Sequence, residues 1–240
     1  MELVIDIGNS YTKVALINHE RVTRYYSFKS NEKINLSKLK SLKFSIVLIS
    51  SVVNKLTPIV IKEVKKISKA KIVDVSKLKK KIKIGVNCTS EEIGSDLYAD
   101  LTAAKKRFHA PVLIFDIGTV NKVLALDKNN VFIGASFFSG LEGSARSMFH
   151  NTEKLPEIKL EYSNNFMGKT TISCINNGVL YSLAYSLEGF IKDYKKILGK
   201  NMKVIVTGGG ASLIRPILKN VTYYPYLTIL GIYYIYMENK

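Results

Sequence analysis

The chain has 240 residues, of which 47% are hydrophobic and 23% charged, a composition typical of a globular protein with one large or two small domains. No apolar run reaches the ~18 residues that a membrane span requires, so we expect no membrane-spanning segment. The first residues, MELVID, lack a basic segment followed by a long apolar run. We therefore expect no signal peptide, a cytoplasmic location, and Cys88 and Cys174 as free thiols.

The net charge of +17 allows three kinds of anionic partner, namely nucleic acid, a membrane surface or a small anionic substrate. No aromatic RNA-binding motif accompanies the many lysines, so we expect no nucleic-acid partner. The densest lysine cluster, KLKKKIKI at 77–84, is interpreted as a solvated surface next to a strand. Aromatic residues concentrate instead at 223–237, where their spacing predicts a buried helix face.

The first half of the chain predicts an α/β unit that opens with three antiparallel strands. ELVIDIG, TKVALIN and RVTRYYSF are rich in β-branched and aromatic residues and are separated by Gly-Asn-Ser and Asn-His-Glu turns. Further strands are expected at 45–53 and 71–76, and helices at 57–68 and 90–108. The last of these helices is predicted to begin at Ser90 and to include Gly94 near its start.

The same order of elements restarts near Pro111. Three more strands are expected from VLIFDIG, NKVLALD and VFIGASFFS, and helices follow around 140–150 and 170–195. A strand then ends in TGGG at 207–210 and precedes two helices. The repeat spacing of about 110 residues indicates an internal duplication, so we expect two lobes, at 1–110 and 111–240.

Each repeat places an Asp-Ile-Gly sequence where its first strand ends, at residues 6–8 and 116–118. Glycine at such a turn lets a phosphate approach the backbone N–H groups, and the carboxylate can hold Mg²⁺. Asn9, Ser10 and Thr119 add hydrogen-bonding groups beside the two turns. The TGGG segment is a third site of close backbone approach, suited to a nucleotide.

These features together resemble the acetate and sugar kinase/actin superfamily, which implies an α/β fold with two ribonuclease-H-like lobes and ATP in a cleft between them. Within it, the chain resembles the type III pantothenate kinase family. The resemblance covers nearly the whole chain, in matching order and spacing. It is carried by the motifs DIGNSYTKVAL (6–16), EEIGSD (91–96), DIGT (116–119), NTEKLP (151–156), MGKTT (167–171) and VTGGGA (206–211).

The resemblance implies ATP-dependent phosphorylation of pantothenate to 4′-phosphopantothenate, the first step of coenzyme A biosynthesis, by a Mg²⁺-requiring homodimer. Asp96 is then the candidate base, and Asp6 and Asp116 are the candidate metal ligands. The residues expected to bind ATP and its phosphates are Asp6, Gly8, Asn9, Ser10, Gly118, Thr119, Gly208 and Gly209. Pantothenate is expected to contact Gly94, Ser95, Asp96 and, from the neighbouring subunit, Thr171.

Simpler structural roles stand beside these assignments. Asp96 can serve only as a helix N-terminal carboxylate, favoured by the helix dipole, and Asp6 only as a turn residue. Thr171 can be a helix N-cap. Lys13 lies in the predicted strand that follows the first turn, and it is interpreted as an exposed strand lysine.

The chain departs from the family pattern at several site positions. Leu97 replaces the arginine that grips the substrate, Ser139 replaces a proline, and the aromatic expected near Asn87 is missing. Leu124 replaces an aspartate that helps hold a monovalent cation, which argues against bound K⁺ or NH₄⁺, and Lys122 replaces the preceding threonine. Either Lys122 provides a fixed ammonium in an active kinase, or the protein uses another acceptor or is inactive. A regulatory or transcription accessory protein is the non-enzymatic alternative.

Overall fold

The structure is a computed structural model that describes residues 1–32, 34–87 and 92–240. The strands are β1 (Glu2–Ile7), β2 (Tyr11–Asn18), β3 (Arg21–Lys29), β4 (Ile46–Ser51), β5 (Lys71–Asp74), β6 (Lys83–Ile84), β7 (Val112–Ile117), β8 (Val120–Leu126), β9 (Val131–Ser139), β10 (Lys203–Thr207) and β11 (Thr222–Tyr223). The α-helices are α1 (Thr57–Ile67), α2 (Ser95–Arg107), α3 (Leu141–His150), α4 (Thr171–Leu198), α5 (Ala211–Ile214) and α6 (Leu227–Glu238). Cys88 and Ser90, on which two sequence predictions fall, lie outside the described residues.

The chain forms two compact units, residues 1–107 with 226–240, and residues 108–225. The boundary between 107 and 108 lies close to the predicted one, but the last residues belong to the first unit and not to the second. The reason is that the apolar surface of α6 packs on α2, which lies in the first unit. No helix in the described part of the chain has both the length and the apolarity needed to cross a membrane.

The first unit is built on a sheet with strand order β3-β2-β1-β4-β5. The strands β1, β2 and β3 form the predicted antiparallel meander, and β4 and β5 run parallel to β1. Central strand β1 is apolar on both faces because both are covered, and Leu3, Val4 and Ile5 are fully buried. The predicted helix at 57–68 is observed as α1, which connects the parallel strands β4 and β5 and buries Val60 and Val64 against the sheet.

Helix α6 confirms the prediction of a buried aromatic helix near the C-terminus. Every residue from Leu227 to Ile235 is buried, and the Thr228 hydroxyl donates to the Oδ1 of Asp100 on α2 over 2.7 Å. The two helices approach so closely at Gly231 that a Cβ there would overlap the backbone of Ala99. Glycine at this position therefore sets the distance between the helices.

Replacing Gly231 with alanine should destabilise the protein, although alanine normally stabilises a helix interior relative to glycine. The added methyl group must push α6 away from α2, and we expect a loss of about 1–3 kcal/mol in the free energy of unfolding. Urea denaturation measures this change. The matched control is Gly189→Ala on α4, where a Cβ meets open space, and there we expect a gain of about 0.5–1 kcal/mol. Equal behaviour of the two variants would contradict this account of the α2–α6 contact.

The second unit repeats the plan of the first, with strand order β11-β10-β7-β8-β9. The strands β7, β8 and β9 form a second antiparallel meander, and β10 runs parallel to β7. The helices predicted around 140–150 and 170–195 are observed as α3 and α4, and α4 packs Leu180 and Leu187 into the core. The predicted internal duplication thus corresponds to a meander plus a parallel strand in each unit. The helix after TGGG is short, covering only Ala211–Ile214.

The two meanders also share a cross-strand register at their first strands. Asp6 on β1 lies opposite Lys13 on β2, and Asp116 on β7 lies opposite Lys122 on β8. Side chains directly opposite each other on antiparallel strands are close enough to interact. Each unit therefore presents an aspartate and a lysine as neighbours beside its Asp-Ile-Gly turn.

Candidate functional site

The first Asp-Ile-Gly turn follows β1 in the first unit. The carboxylate of Asp6 is almost fully buried, and its Oδ2 lies 3.4 Å from the Nζ of Lys13. The N–H of Gly8 donates to the Tyr11 carbonyl over 3.0 Å, and a Cβ on Gly8 would stand 2.9 Å from that oxygen. Glycine is thus required for the tight turn, and Lys13 is half-buried and ion-paired, contrary to its interpretation as an exposed lysine.

Ser30, just after β3, fixes the conformation of this turn. Its hydroxyl donates to the Gly8 carbonyl over 2.7 Å, and its N–H donates to the Ser10 carbonyl over 2.9 Å. Ser30 is buried, whereas Asn9 at the tip is exposed. Hydrogen bonds therefore fix the backbone of this turn, while the polar side chain at its tip is exposed. This arrangement suits a ligand that approaches the backbone.

The candidate base Asp96 lies in the first turn of α2. The helix begins at Ser95, so the prediction that Gly94 lies inside it is wrong, since glycine is costly in a helix interior. The Oδ1 of Asp96 accepts a hydrogen bond from the Leu97 N–H over 2.9 Å. A Cβ on Gly94 would lie 2.7 Å from the same Oδ1, so any side chain there would displace the carboxylate.

Ser50 links the first turn of α2 to the sheet. The sequence analysis did not identify it as a site residue. It is buried at the end of β4, beside Asp6 on the neighbouring strand β1. Its hydroxyl donates to the Oγ of Ser95 over 2.9 Å. The structure therefore holds Asp6 and the start of α2 at the same edge of the first unit's sheet. A serine inside an apolar run gives no sequence signal for this role.

A cavity of about 640 Å³ opens beside Gly94 and Ser95 in the first unit. Its remaining walls come from Ser51 and Val52 at the end of β4, from residues 76–80 after β5 and from Ile93. The volume falls in the range of small-molecule sites. The interpretation of the 77–84 lysine cluster as a solvated surface is therefore incomplete, because Lys80 is half-buried in the cavity wall.

The second Asp-Ile-Gly turn lies in the second unit and carries a tighter ion pair. The Oδ2 of Asp116 is 2.6 Å from the Nζ of Lys122, and both side chains are largely buried. A Cβ on Gly118 would lie 3.8 Å from the Oδ1 of Asp116, and Thr119 is exposed beside it. The ammonium of Lys122 thus contacts the aspartate that precedes the predicted phosphate turn.

The TGGG segment packs directly on this second turn. Gly208 has a φ of +94°, and a Cβ there would lie 2.5 Å from the Oδ1 of Asp116 and would overlap the Ile117 backbone. The N–H of Gly210 donates to the Ile117 carbonyl over 2.9 Å. By contrast, a Cβ on Gly209 would meet open space. The structure therefore places the TGGG segment, with Gly208 and Gly209, next to the turn that contains Asp116, Gly118 and Thr119.

Replacing Gly208 with alanine should both destabilise the second unit and weaken nucleotide binding. The positive φ costs about 1–3 kcal/mol in a non-glycine residue, and the methyl group must also displace the Asp116 carboxylate. Thermal unfolding and equilibrium binding of an ATP analogue measure the two effects. Gly209→Ala is the control for stability and should leave the unfolding temperature close to that of the unsubstituted protein. A Gly208→Ala protein of unchanged stability would refute this role for the glycine.

Thr171 is exposed at the start of α4, and the proposed alternative role as an N-cap is wrong. The N-cap is Thr170, whose hydroxyl accepts a hydrogen bond from the Ser173 N–H over 3.2 Å in a capping box. Thr171 follows it as the first helical residue, with its side chain left for another contact. Cys174, one turn further along, is an exposed free thiol.

The two predicted metal ligands differ in how well they suit Mg²⁺. Within the described residues, no group of three or more histidine, cysteine or acidic side chains is arranged to hold a metal ion. Mg²⁺ needs only one or two carboxylates when substrate phosphates and water complete its shell. The Oδ2 of Asp6 pairs with the Lys13 ammonium at 3.4 Å, a longer contact than the 2.6 Å between the Oδ2 of Asp116 and the Lys122 ammonium, so Asp6 suits the ion better than Asp116 does.

Comparison with solved structures supports the predicted α/β fold with two lobes. A protein described as a Baf family transcriptional activator from Campylobacter jejuni has a TM-score of 0.64 at 17% identity, covering 99% of this chain and 98% of that chain. Component A of the (R)-2-hydroxyglutaryl-CoA dehydratase from Acidaminococcus fermentans has a TM-score of 0.56 at 15% identity, covering 100% and 99%. At these identities the likeness shows the fold alone.

Comparison of sequences is more specific. A type III pantothenate kinase from Dictyoglomus turgidum is 30% identical over 259 aligned positions, covering 100% of both chains. Another from Persephonella marina is 32% identical over 251 positions, covering 98% of both. The family model for type III pantothenate kinase matches residues 2–193. The chain therefore belongs to the type III pantothenate kinase family.

Proposed function

We propose that this protein transfers the γ-phosphoryl group of ATP to the terminal hydroxyl of pantothenate, giving 4′-phosphopantothenate and ADP for coenzyme A synthesis in the cytoplasm. The observation that carries the proposal is the position of Asp96. Its carboxylate is held at the start of α2, next to a cavity of a size that suits a small acceptor. Family membership supports the choice of substrates, and the position of Asp96 beside the cavity supports its role as the base.

In the proposed reaction, the Asp96 carboxylate accepts the proton of the pantothenate hydroxyl as its oxygen bonds to the γ-phosphorus. The bond between that phosphorus and the oxygen bridging to the β-phosphate breaks, and ADP leaves with the electron pair. Phosphoryl transfer depends mainly on positioning and on neutralising charge. The hydrogen bond from Leu97 and the side-chain-free position at Gly94 keep the carboxylate in place.

We propose that the two glycine turns hold the nucleotide. In the first unit, the exposed tip at Asn9 and the backbone around Gly8 contact phosphate, and Asp6 would hold Mg²⁺, which neutralises phosphate charge when bound. In the second unit, Thr119 and Gly118 contact phosphate and Gly209 lies open for the nucleoside. Removal of Mg²⁺ with a chelator should abolish turnover, and turnover without Mg²⁺ would contradict the role of Asp6.

We also propose that the ammonium of Lys122 replaces the monovalent cation of the family. Leu124 has no carboxylate with which to hold K⁺ or NH₄⁺, and it is fully buried. The Lys122 Nζ already places one positive charge 2.6 Å from the Oδ2 of Asp116. Turnover should therefore proceed equally in potassium and in sodium buffers.

A homodimer is proposed because the second unit exposes large apolar side chains around Thr171. Ile172, Met167 and Phe166 are each more than half exposed, and the similarly exposed Tyr185 lies about four turns further along α4. Exposed apolar groups that cluster in this way mark interaction surfaces. Equilibrium sedimentation tests the proposal, and a monomer at micromolar concentration would contradict it.

The dependence of activity on Mg²⁺ and pantothenate distinguishes a kinase from a transcription accessory protein. Release of ADP should depend on both Mg²⁺ and pantothenate and should not change when DNA is added. A nucleic-acid binder would instead bind DNA with an affinity that falls steeply with salt. The likeness to the Campylobacter jejuni protein gives no support to the alternative, since at 17% identity it shows the fold only.

A further inference from the structure

The second Asp-Ile-Gly turn contacts a single peptide group, the one between Ser139 and Gly140, through two hydrogen bonds. The N–H of this group, on Gly140, donates to the Thr119 carbonyl over 3.2 Å. Its carbonyl, on Ser139, accepts from the side-chain amide of Asn121 over 2.8 Å. Both partners belong to the hairpin that carries the turn, since Asn121 on β8 lies opposite Ile117 on β7. The hairpin therefore binds this peptide group at both of its polar ends.

We propose that Asn121 is a positioning residue for the phosphate turn at Gly118 and Thr119. Ser139 stands where the family has proline, and proline restricts the backbone in a way that serine does not. In this chain the Asn121 amide supplies a restriction of its own by hydrogen-bonding the Ser139 carbonyl. This inference rests on the proposed function, because it assumes that the turn contacts the phosphates of ATP.

Close packing at Gly140 transmits the position of this peptide group to the turn. A Cβ on Gly140 would overlap the carbonyl oxygens of Gly118 and Thr119, so the two backbone segments are in direct contact. A peptide group is planar and trans, so a carbonyl held in one direction also fixes the direction of the N–H that follows it. A shift of Ser139 and Gly140 would therefore turn the backbone N–H groups that are proposed to meet phosphate.

The burial of Asn121 supports a specific need for its amide. The residue is only 1% exposed, and its Oδ1 is buried without a hydrogen-bond partner in the described part of the chain. An unpaired buried acceptor costs free energy, and an apolar residue of similar size would avoid that cost. The hydrogen bond that the Nδ2 donates to the Ser139 carbonyl offsets it. Because Asn121 is buried, it acts on the nucleotide only through the turn.

The test compares the binding of a non-hydrolysable ATP analogue with that of adenosine, which lacks the phosphates. In Asn121→Leu the Kd for the analogue, measured by calorimetry, should rise about 3- to 15-fold, because the lost hydrogen bond leaves the turn less well positioned. The Kd for adenosine should stay close to its original value. Adding Ser139→Pro to Asn121→Leu restores the family proline and should recover most of the affinity for the analogue. No recovery would reject the equivalence of Asn121 and the proline.

The matched control is Asn176→Leu, which removes another buried amide of the second unit. The Nδ2 of Asn176, on α4, donates to the Glu161 carbonyl over 2.9 Å and takes no part in the turn. This variant should lower the unfolding temperature and leave both Kd values unchanged. A rise in the Kd for the analogue as large as that of Asn121→Leu would show that the loss of any buried hydrogen bond in the unit has this effect, and it would overturn the inference.

Equal losses of analogue and adenosine binding in Asn121→Leu would show that Asn121 acts only on the structure, and unchanged binding would show that it does not position the turn; either result overturns the inference. If that variant does not fold, Asn121→Ala is measured in the same way, with the same expected results. A protein that binds the analogue but does not phosphorylate pantothenate fails the kinase proposal alone, and the Kd values still decide the role of Asn121. An unsubstituted protein that does not bind the analogue contradicts both proposals.

Discussion

Replacing Asp96 with asparagine should lower kcat about 10²- to 10⁴-fold, the usual contribution of a general base. Asparagine keeps the size of the side chain and can still accept the hydrogen bond that the Leu97 N–H donates to Asp96. It cannot take the proton of the pantothenate hydroxyl. Steady-state kinetics with saturating ATP and pantothenate measure the effect, and the KM for ATP should change little because ATP is proposed to contact other residues.

The control for this prediction is Asp193→Asn, which removes an exposed carboxylate from α4 that takes no part in the proposed site. Its kcat should equal that of the unsubstituted protein. The stability of Asp96→Asn should fall by less than about 1 kcal/mol, because the substitution weakens the interaction with the helix dipole but keeps an oxygen that accepts from the Leu97 N–H. A variant that stays folded, binds ATP and keeps full kcat would leave Asp96 with a capping role alone.

Replacing Lys122 with threonine, the residue that the family has at this position, should have the second large effect. The Asp116 carboxylate would lose the ammonium 2.6 Å away and remain buried with an uncompensated charge. We expect a loss of about 1–3 kcal/mol in the free energy of unfolding, together with a large drop in turnover. Lys13→Thr is the matched control, since that lysine is 3.4 Å from Asp6 and more exposed, and it should cost less stability.

A second substitution separates the electrostatic role of Lys122 from a structural one. Lys122→Thr with Leu124→Asp rebuilds the family motif and supplies a carboxylate for a monovalent cation. We expect this double variant to turn over in K⁺ or NH₄⁺ but poorly in Na⁺, whereas the unsubstituted protein shows no such preference. Turnover of the unsubstituted protein that requires K⁺ would contradict the proposed role of Lys122.

Much of the fold was predictable because it follows from local patterns. Runs of apolar and β-branched residues broken by glycine-containing turns predict the two meanders, and the repeated Asp-Ile-Gly sequence predicts two equivalent units. The partner of α6 was not predictable in the same way. The apolar pattern of a helix indicates that it is buried, but it does not indicate which surface covers it. The sequence-based prediction therefore assigned residues 226–240 to the second unit, whereas they pack in the first.

The candidate site likewise contains residues that the sequence predicts and residues that it does not. The glycine turns and Asp96 have recognisable motifs because their chemistry needs particular residues in short sequence. Ser30, Ser50 and Asn121 act through contacts with residues 18 to 45 positions away, and no short motif marks them. The pairing of Asp116 with Lys122 lies between these cases, since the hairpin register sets it but only the structure shows the direct contact.

The most direct test of the central claim is mass-spectrometric detection of 4′-phosphopantothenate after incubation of the purified protein with Mg²⁺, pantothenate and ATP labelled in its γ-phosphoryl group. We expect labelled product with the unsubstituted protein and a strongly reduced amount with Asp96→Asn. A folded protein that binds ATP yet forms no labelled product would contradict the account.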